Sequence, residues 1–304
     1  MVSLVLILIS SLFFVGIIVK VKAKIAARRM PPILQPVYDA IRLFKKGAVY
    51  SRTTSVVFKI APLIYFASAL VATLFVPIGS FGAFLSFEGD FVFFAYLMGL
   101  GKFMMIVSAM DTGSGFEGMG ANRESLYSML VEPAFFILMG SVALFTNNIS
   151  FHDLFLNFNV DTNLSYIIGI ASIYVLVFIT MVENSRMPVD DPKTHLELTM
   201  VHEVMVLDNS GFDLALIHIA SWLKFSIFGA LISNFIIQSS WAAHWQIAAF
   251  FGIQVAFSVA VGMLEAFRAR NKMEKNPQWI LMLSAISIVI FLTVLIITQK
   301  IILN

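Results

Sequence analysis

The sequence predicts an all-α polytopic membrane protein with about eight transmembrane helices, and three observations carry that reading. Of its 304 residues, 59% are hydrophobic and only 12% charged, against the roughly 25% charge with which a soluble domain covers its surface. The apolar residues fall in continuous runs of about 20, the length a helix needs to cross the hydrocarbon, without the two-residue alternation of a membrane barrel. Lys and Arg gather in every second connection, the asymmetry that sets membrane orientation. Disordered, collagenous and disulfide-stapled classes are excluded by the same composition. The chain has no cysteine, so it offers no thiolate for an iron-sulfur cluster, and any redox centre belongs to a partner or a diffusible ligand.

The first apolar run, 1–19, has no basic residue before it and the cluster Lys20, Lys22, Lys24, Arg28, Arg29 after it. That arrangement anchors a span with its N-terminus outside and does not describe a signal peptide. The connection from 20 to 59 carries ten basic residues against one acid, Asp39. Within the basic cytoplasmic loop 20–55, Val37, Ile41 and Phe44 recur at helical spacing after Pro36, with Arg42, Lys45 and Lys46 beside them. A short amphipathic helix on the membrane surface is expected there. Seven further runs follow at 56–78, 91–110, 126–146, 164–183, 213–238, 246–266 and 278–299, making residues 1–304 a single integral-membrane domain.

If the spans alternate, the connections at 111–125, 184–212 and 267–277 join the first loop on one side, bringing Arg123, Arg186, Lys193, Arg268, Arg270, Lys272 and Lys275. The connections at 79–90, 147–163 and 239–245 hold no Lys or Arg, and Lys300 alone sits opposite. The formal net charge of +2 is therefore a topology signal with both termini outside, and no nucleic-acid partner is expected. No internal repeat is visible, which argues against the inverted-repeat architecture of many transporters.

Charges within the spans cost a few kcal/mol each, so each asks for a role. Lys102, Glu132 and Lys224 lie well inside apolar runs and Glu265 lies near the end of one. Singly, each is as well explained by an internal ion pair, or for Glu265 by interfacial anchoring. As a set they point to proton or ion handling. The acidic cytoplasmic loop 184–212, entered from Glu183, adds Asp190, Asp191, Glu197, Glu203 and Asp208, with His195 and His202 among them and Asp213 just beyond. Crowded carboxylates raise one another's pKa and His titrates near neutrality, so such a loop can store and relay protons. Pro188, Pro192 and the apolar Leu196, Leu198, Met200, Val201 and Val204 between the charges favour a folded, partly buried segment over a solvated one.

Two pattern matches carry no weight. Gly113, Gly115 and Gly118 satisfy the dinucleotide-binding spacing but follow a membrane span instead of a strand, and His195 and His202 lack the spacing of a zinc protease. No metal site and no catalytic residue is expected.

Three motifs together resemble, over nearly the full length, the family of the proton-channel subunit of respiratory complex I, and within it the branch of formate hydrogenlyase subunit 4 and membrane-bound nickel-iron hydrogenases. They are Arg28-Arg29-Met30-Pro31 with Leu34-Gln35, Asp39 and Lys45-Lys46; Asp111-Thr-Gly-Ser-Gly-Phe with Gly120-Ala-Asn-Arg123-Glu124 and Val131-Glu132-Pro133; and Glu183, Arg186, Pro188, Asp190, Glu197-Leu198 with Asp208-Asn-Ser-Gly211. Met30 replaces a Gly of the family pattern, Gly115 a Pro and Val189 a Phe, while Lys193 and His195 stand where complex I subunits carry acids. The Glu132-Pro133 pair and the run from Thr194 to Thr199 favour the hydrogenase branch over complex I proper, and the changed acidic loop disfavours quinone binding.

The resemblance implies a non-catalytic membrane subunit in a prokaryotic cytoplasmic (inner) membrane, lying under a soluble hydrogenase-like or dehydrogenase-like redox module and beside antiporter-like subunits. Iron-sulfur and nickel-iron centres would sit on the partners, and this chain would bind no cofactor of its own. Arg28, Arg29, Gln35, Asp39, Lys45, Lys46, Arg123, Glu124 and Arg186 would face that module. Lys102, Glu132, Glu183, Asp190, Asp191, Glu197, Glu203, Asp208, Asp213, Lys224 and Glu265 would carry protons, or Na⁺ in their place. A quinone-site subunit of a complex-I-like dehydrogenase, a stand-alone ion transporter and a purely structural anchor remain as alternatives.

Overall fold

The computed structural model describes residues 1–158, 163–190 and 200–298; Asp191, Lys193, His195 and Glu197 of the acidic loop, and Lys300, lie outside the described residues. The helices are α1 (Val2–Ile25), α2 (Gln35–Phe44), α3 (Val56–Ala72), α4 (Asp90–Asp111), α5 (Gly115–Thr146), α6 (Phe151–Leu156), α7 (Asn163–Glu183), α8 (His202–Met205), α9 (Gly211–Asn234), α10 (Ala243–Phe267) and α11 (Asn276–Ile297). Among the described residues eight helices are long and apolar enough to cross a membrane, all but α2, α6 and α8. The short amphipathic α2 begins at Gln35 with Pro36 in its first turn, where a missing N–H costs nothing.

The bundle is arranged around α9. Its most apolar stretch is 83% buried, against 28% for α11 and 33% for α10, which face outward. It is also the least apolar of the eight spans and carries Asp213, Lys224, Ser226 and Asn234, polar groups that are costly against lipid; α9 accordingly packs on α1, α2, α3, α7 and α10. Phe225 of α9 meets Phe14 of α1 edge-on at 4.4 Å and stacks on Phe257 of α10 at 5.3 Å. Small residues set the other close approaches. A Cβ at Gly101 of α4 would collide with Ser68 of α3, and one at Gly262 of α10 would press on Val21 of α1.

Three helix limits differ from the apolar runs, each for a reason of partnership. The first helix continues to Ile25, because Lys22 on its last turns is paired with Glu265 of α10 at 2.9 Å. The fifth starts at Gly115, well before the run at 126, and carries Glu117 and Glu124 inside the bundle, with Arg123 half-buried between them. Glu117 accepts the Asp208 N–H at 3.0 Å, and Glu124 is ion-paired. The ninth ends at Asn234, whose side chain accepts the Gly79 N–H at 2.9 Å and donates to the Pro77 carbonyl at 2.8 Å. Buried polar partners, absent from a hydropathy profile, thus decide where these helices begin and end.

Candidate functional site

Glu183 is the last residue of α7, yet its side chain is only 9% exposed. The reason is the chain that follows it. Residues 184–190 fold back over the bundle and are fastened there: Asn276 donates to the Val189 carbonyl at 3.0 Å, and Arg270 pairs with Asp190 at 2.7 Å. Asp190 also accepts the His202 backbone N–H at 3.0 Å, bringing α8 into the same cap. Arg123 donates to the Met200 carbonyl at 2.8 Å and holds the cap from the side of α5. A second pairing closes the side nearest α1, where Arg186 and Lys22 meet the fully buried Glu265 carboxylate at 3.2 and 2.9 Å.

Under this cap lies a chain of alternating charge. Lys102 Nζ sits 3.1 Å from Glu124 Oε1 and 3.1 Å from Glu183 Oε1, and Glu183 Oε2 is 3.8 Å from Lys224 Nζ. Ser185 Oγ donates to the second oxygen of Glu124 at 3.3 Å, and Lys224 rests 4.7 Å from the centre of the Tyr65 ring. Two lysines and two carboxylates balance. Buried charges are tolerable only when each is offset in this way, since the desolvation of an unpaired one costs several kcal/mol.

Glu132 stands next to the balanced set and outside it. Among the described residues it makes no ion pair within 4 Å, and on the isolated chain its side chain lies exposed on the flank of α5. A cavity of about 30 Å³ separates it from Lys102 and Glu183, walled by Phe94, Phe135 and Phe228. That volume admits a water molecule, which needs roughly 10–15 Å³ of such space and polar neighbours.

Toward the basic end the cluster meets a smaller gap of about 10 Å³, lined by Tyr65, Lys102, Glu124, Glu183, Asn184, His202 and Ser221. Asn184, His202 and Ser221 also line a large cavity of about 360 Å³ between α1, α2, α8 and α9, which Gln35, Asp39, Arg186, Glu203, His218 and Trp222 border. Three separate spaces that share lining residues thus lead from the basic end, past the cluster, to Glu132: Asn184, His202 and Ser221 border the first two, and Lys102 and Glu183 the last two.

The sequence pattern of the NADH dehydrogenase family matches residues 1–298. The chain belongs to that family. Among its relatives, hydrogenase-4 component C of Escherichia coli is 28% identical over 218 residues, 72% of this chain and 67% of that protein. Formate hydrogenlyase subunit 4 of the same organism is 27% identical over 186 residues, 60% of each chain. NADH-quinone oxidoreductase subunit 8 of Thermus thermophilus is 24% identical over 227 residues, 71% of this chain and 61% of that one. The aligned stretches thus span roughly three fifths to two thirds of these relatives' lengths. In fold, the chain is similar to one in the membrane-bound sulfane sulfur reductase, an archaeal respiratory membrane complex, with TM-score 0.78, 17% identity and 96% of each chain covered.

In this NADH dehydrogenase family member the structure sorts the residues singled out from sequence. Lys102, Glu183 and Lys224 come together, with Glu132 one small cavity away. Glu124 and Arg186, expected on a surface facing a soluble partner, are turned inward: Glu124 is 3% exposed beside Lys102, and Arg186 is paired with Glu265. Helix α5 starting early and the chain folding back after Glu183 are the causes. Glu265, near a span end, is fully buried between two cations and is no interfacial anchor. Asp190 belongs to the cap, Glu203 to the large cavity, and Asp213 accepts a hydrogen bond from the Tyr50 hydroxyl. Arg28, Arg29, Lys45 and Lys46 are exposed at the basic end, while Gln35 donates to Asp39 at 2.9 Å and both reach the cavity wall.

Sequence reading missed His218, Tyr65, Glu117 and Arg270. His218 and Tyr65 were hidden by their apolar neighbours. Among the described residues, no group of three or more His, Asp or Glu is disposed to hold a metal ion.

Proposed function

We propose that this chain is the membrane subunit that anchors the soluble redox module of a hydrogenase-like or formate hydrogenlyase-like complex and carries protons beneath it. The supporting observation is the succession of spaces with shared lining residues, from the 360 Å³ cavity through His202 and Ser221 to Glu124, Lys102 and Glu183, and on to Glu132. A proton arriving at Glu124 or Glu183 displaces a lysine contact and lowers the cost of separating that pair. The freed charge imbalance is relieved when the proton moves on through water to Glu132. Electron transfer in the module would drive this by changing the charge next to the large cavity.

In this reading the basic end, with Arg28, Arg29, Lys45 and Lys46 exposed, faces the cytoplasm and the soluble partner, which carries the iron-sulfur and nickel-iron centres. Both termini lie outside, in a prokaryotic inner membrane. An unpaired carboxylate on a flank in mid-membrane is costly against lipid, so an antiporter-like subunit covers Glu132 and receives its proton.

Glu132→Gln tests the reading. Glu132 is outside the balanced pairs, so the variant strands no partner charge and the complex assembles. Proton translocation by the assembled complex in vesicles falls at least tenfold, and Glu132→Asp keeps part of it. Full translocation by the Gln variant removes Glu132 from the path.

The large cavity supports a second reading, a quinone-site subunit. Its apolar wall of Val15, Val19, Leu43, Trp222 and Phe225, with Gln35, Asp39 and His202 as polar groups, suits a ring bearing two carbonyl oxygens. Extraction of stoichiometric quinone from the purified complex would favour it over the first.

A further inference from the structure

The large cavity and the charge cluster meet at a neck where Asn184, His202 and Ser221 are shared by both. Of the three, only the imidazole of His202 can gain and lose a proton near neutral pH. Its position is fixed from below: its backbone N–H is held by Asp190, which Arg270 clamps at 2.7 Å. His218, one turn before Ser221 on α9, lines the same cavity.

The charged and titratable groups around the neck come from every neighbouring element. They are Tyr65 of α3, Lys102 of α4, Glu124 of α5, Glu183 of α7 and Lys224 of α9 on the cluster side. On the cavity side are Asp39 of α2, Arg186 of the cap, Glu203 of α8 itself and His218 of α9.

We propose, building on the proton-path reading above, that His202 is the residue that admits protons from the cavity to the cluster. A hydronium ion carried by cavity water gives its proton to the free ring nitrogen and is left as water. The imidazolium then releases the proton on its other nitrogen to the Glu124 carboxylate, whose oxygens already face Lys102 and Ser185. Rotation of the ring, or exchange of its N–H with cavity water, restores the starting tautomer. One proton enters and one leaves, with no change of electrons.

Electrostatics suits a group that passes protons on without storing them. Burial lowers the His202 pKa most; Glu124 works against this, while His218, Lys102 and Lys224 lower it further, to about 4. At neutral pH the ring is therefore uncharged at rest and adds no third cation beside the two lysines. A carboxylate in its place would compete with Glu124 and Glu183 for Lys102.

The test uses the assembled complex in vesicles, driven by reduced methyl viologen, with an entrapped pH dye reporting proton movement. His202→Gln keeps size and hydrogen bonding but cannot titrate; it assembles, and translocation falls at least tenfold at pH 7. His202→Ala falls likewise and regains a measurable part of its rate when imidazole, small enough for the 360 Å³ cavity, is added at millimolar concentration. Translocation at the unmodified rate by the Gln variant, or no response of the Ala variant to imidazole, overturns the assignment. Glu132→Gln, measured in parallel, separates the two failures. If it blocks translocation while His202→Gln does not, only the role of His202 is lost; if it does not block, the path reading falls as well.

Discussion

The two ends of the bundle solve the same packing problem with different chemistry. At the basic end, helices and loops are joined by buried ion pairs: Lys22 and Arg186 with Glu265, Arg270 with Asp190, and Lys102 with Glu124 and Glu183. At the other end the fasteners are neutral side chains. Asn234 ties Gly79 and Pro77, Gln246 accepts from the Ser80 N–H at 2.8 Å and donates to the Trp241 carbonyl at 2.7 Å, and Ser3 donates to the Gly82 carbonyl at 3.0 Å. Asp90 is the acid there, held by the Phe151 N–H at 2.6 Å and Ser150 at 3.1 Å at the start of α6.

Amides and hydroxyls satisfy buried backbone groups without changing charge near neutral pH, whereas carboxylates and lysines can lose or gain a proton. On the proposed path the neutral end acts as the seal and the basic end as the place where charge moves. In the proposed path the group that follows the cluster is Glu132, across the cavity walled by Phe94, Phe135 and Phe228.

The sharpest way to break this contrast is Glu183→Gln. It leaves Lys102 with Glu124 alone and Lys224 with no carboxylate, and removing one member of a buried set costs about 3–5 kcal/mol. The expected outcome is poor yield of assembled complex and a lowered thermal midpoint in detergent. The double variant Glu183→Gln, Lys224→Met restores charge balance and recovers much of the stability while remaining inactive in translocation. Recovery of neither would mean that the cluster is not held by charge balance.

Acid should loosen the basic end selectively. His202 is depressed from its ordinary 6.5 to about 4 in the folded protein, so the unfolded chain binds its proton more readily. The stability that this provides is fully present above about pH 6.5 and is lost as pH falls toward 4, amounting to on the order of 3 kcal/mol. Hydrogen exchange at residues 184–190 and 200–210 should rise across that window while exchange at Gly79, Ser80 and Gln246 stays level. His202→Gln should remove this contribution; an unchanged acid response in the variant would assign the effect to other groups.

At the neutral end the expected effects are smaller and confined to stability. Asn234→Leu strands the Gly79 N–H and the Pro77 carbonyl, a cost of about 1–3 kcal/mol. Translocation per electron should stay at the unmodified value. A drop in coupling with assembly intact would show that the seal takes part in proton movement.

The least perturbing experiment uses the absence of cysteine. Single cysteines at the exposed Lys46 and Lys272 should label from the cytoplasmic side, and at the exposed Glu88 and Ala242 from the other. Labelling of Lys46→Cys and Glu88→Cys from one face would dissolve the comparison of ends altogether.

How far the sequence carries differs between these ends as well. The eight spans and the basic loops could be read directly, because hydrocarbon thickness fixes the length of an apolar run and membrane orientation is written in local charge. Lys102, Glu132 and Lys224 were conspicuous because a charge in an apolar run is rare. Their partners were not conspicuous. Glu124 looked like a loop residue until α5 was seen to start at Gly115, and Arg186 looked solvent-facing until the chain after Glu183 was seen to fold back over the bundle.

By itself, then, the sequence determined the membrane class, the eight spans and the amphipathic α2, the one-sided charge, the family resemblance and which side chains were too polar for their surroundings, but not the short α6 and α8. Only the tertiary structure decided which lysine neutralises which carboxylate, that Glu132 is set apart from them, and that His202 stands where the cavity meets the cluster. The physical reason is range. Span length and charge asymmetry are properties of consecutive residues, whereas a buried charge is stabilised by groups brought to within about 4 Å from distant parts of the chain, and hydropathy carries no record of that pairing.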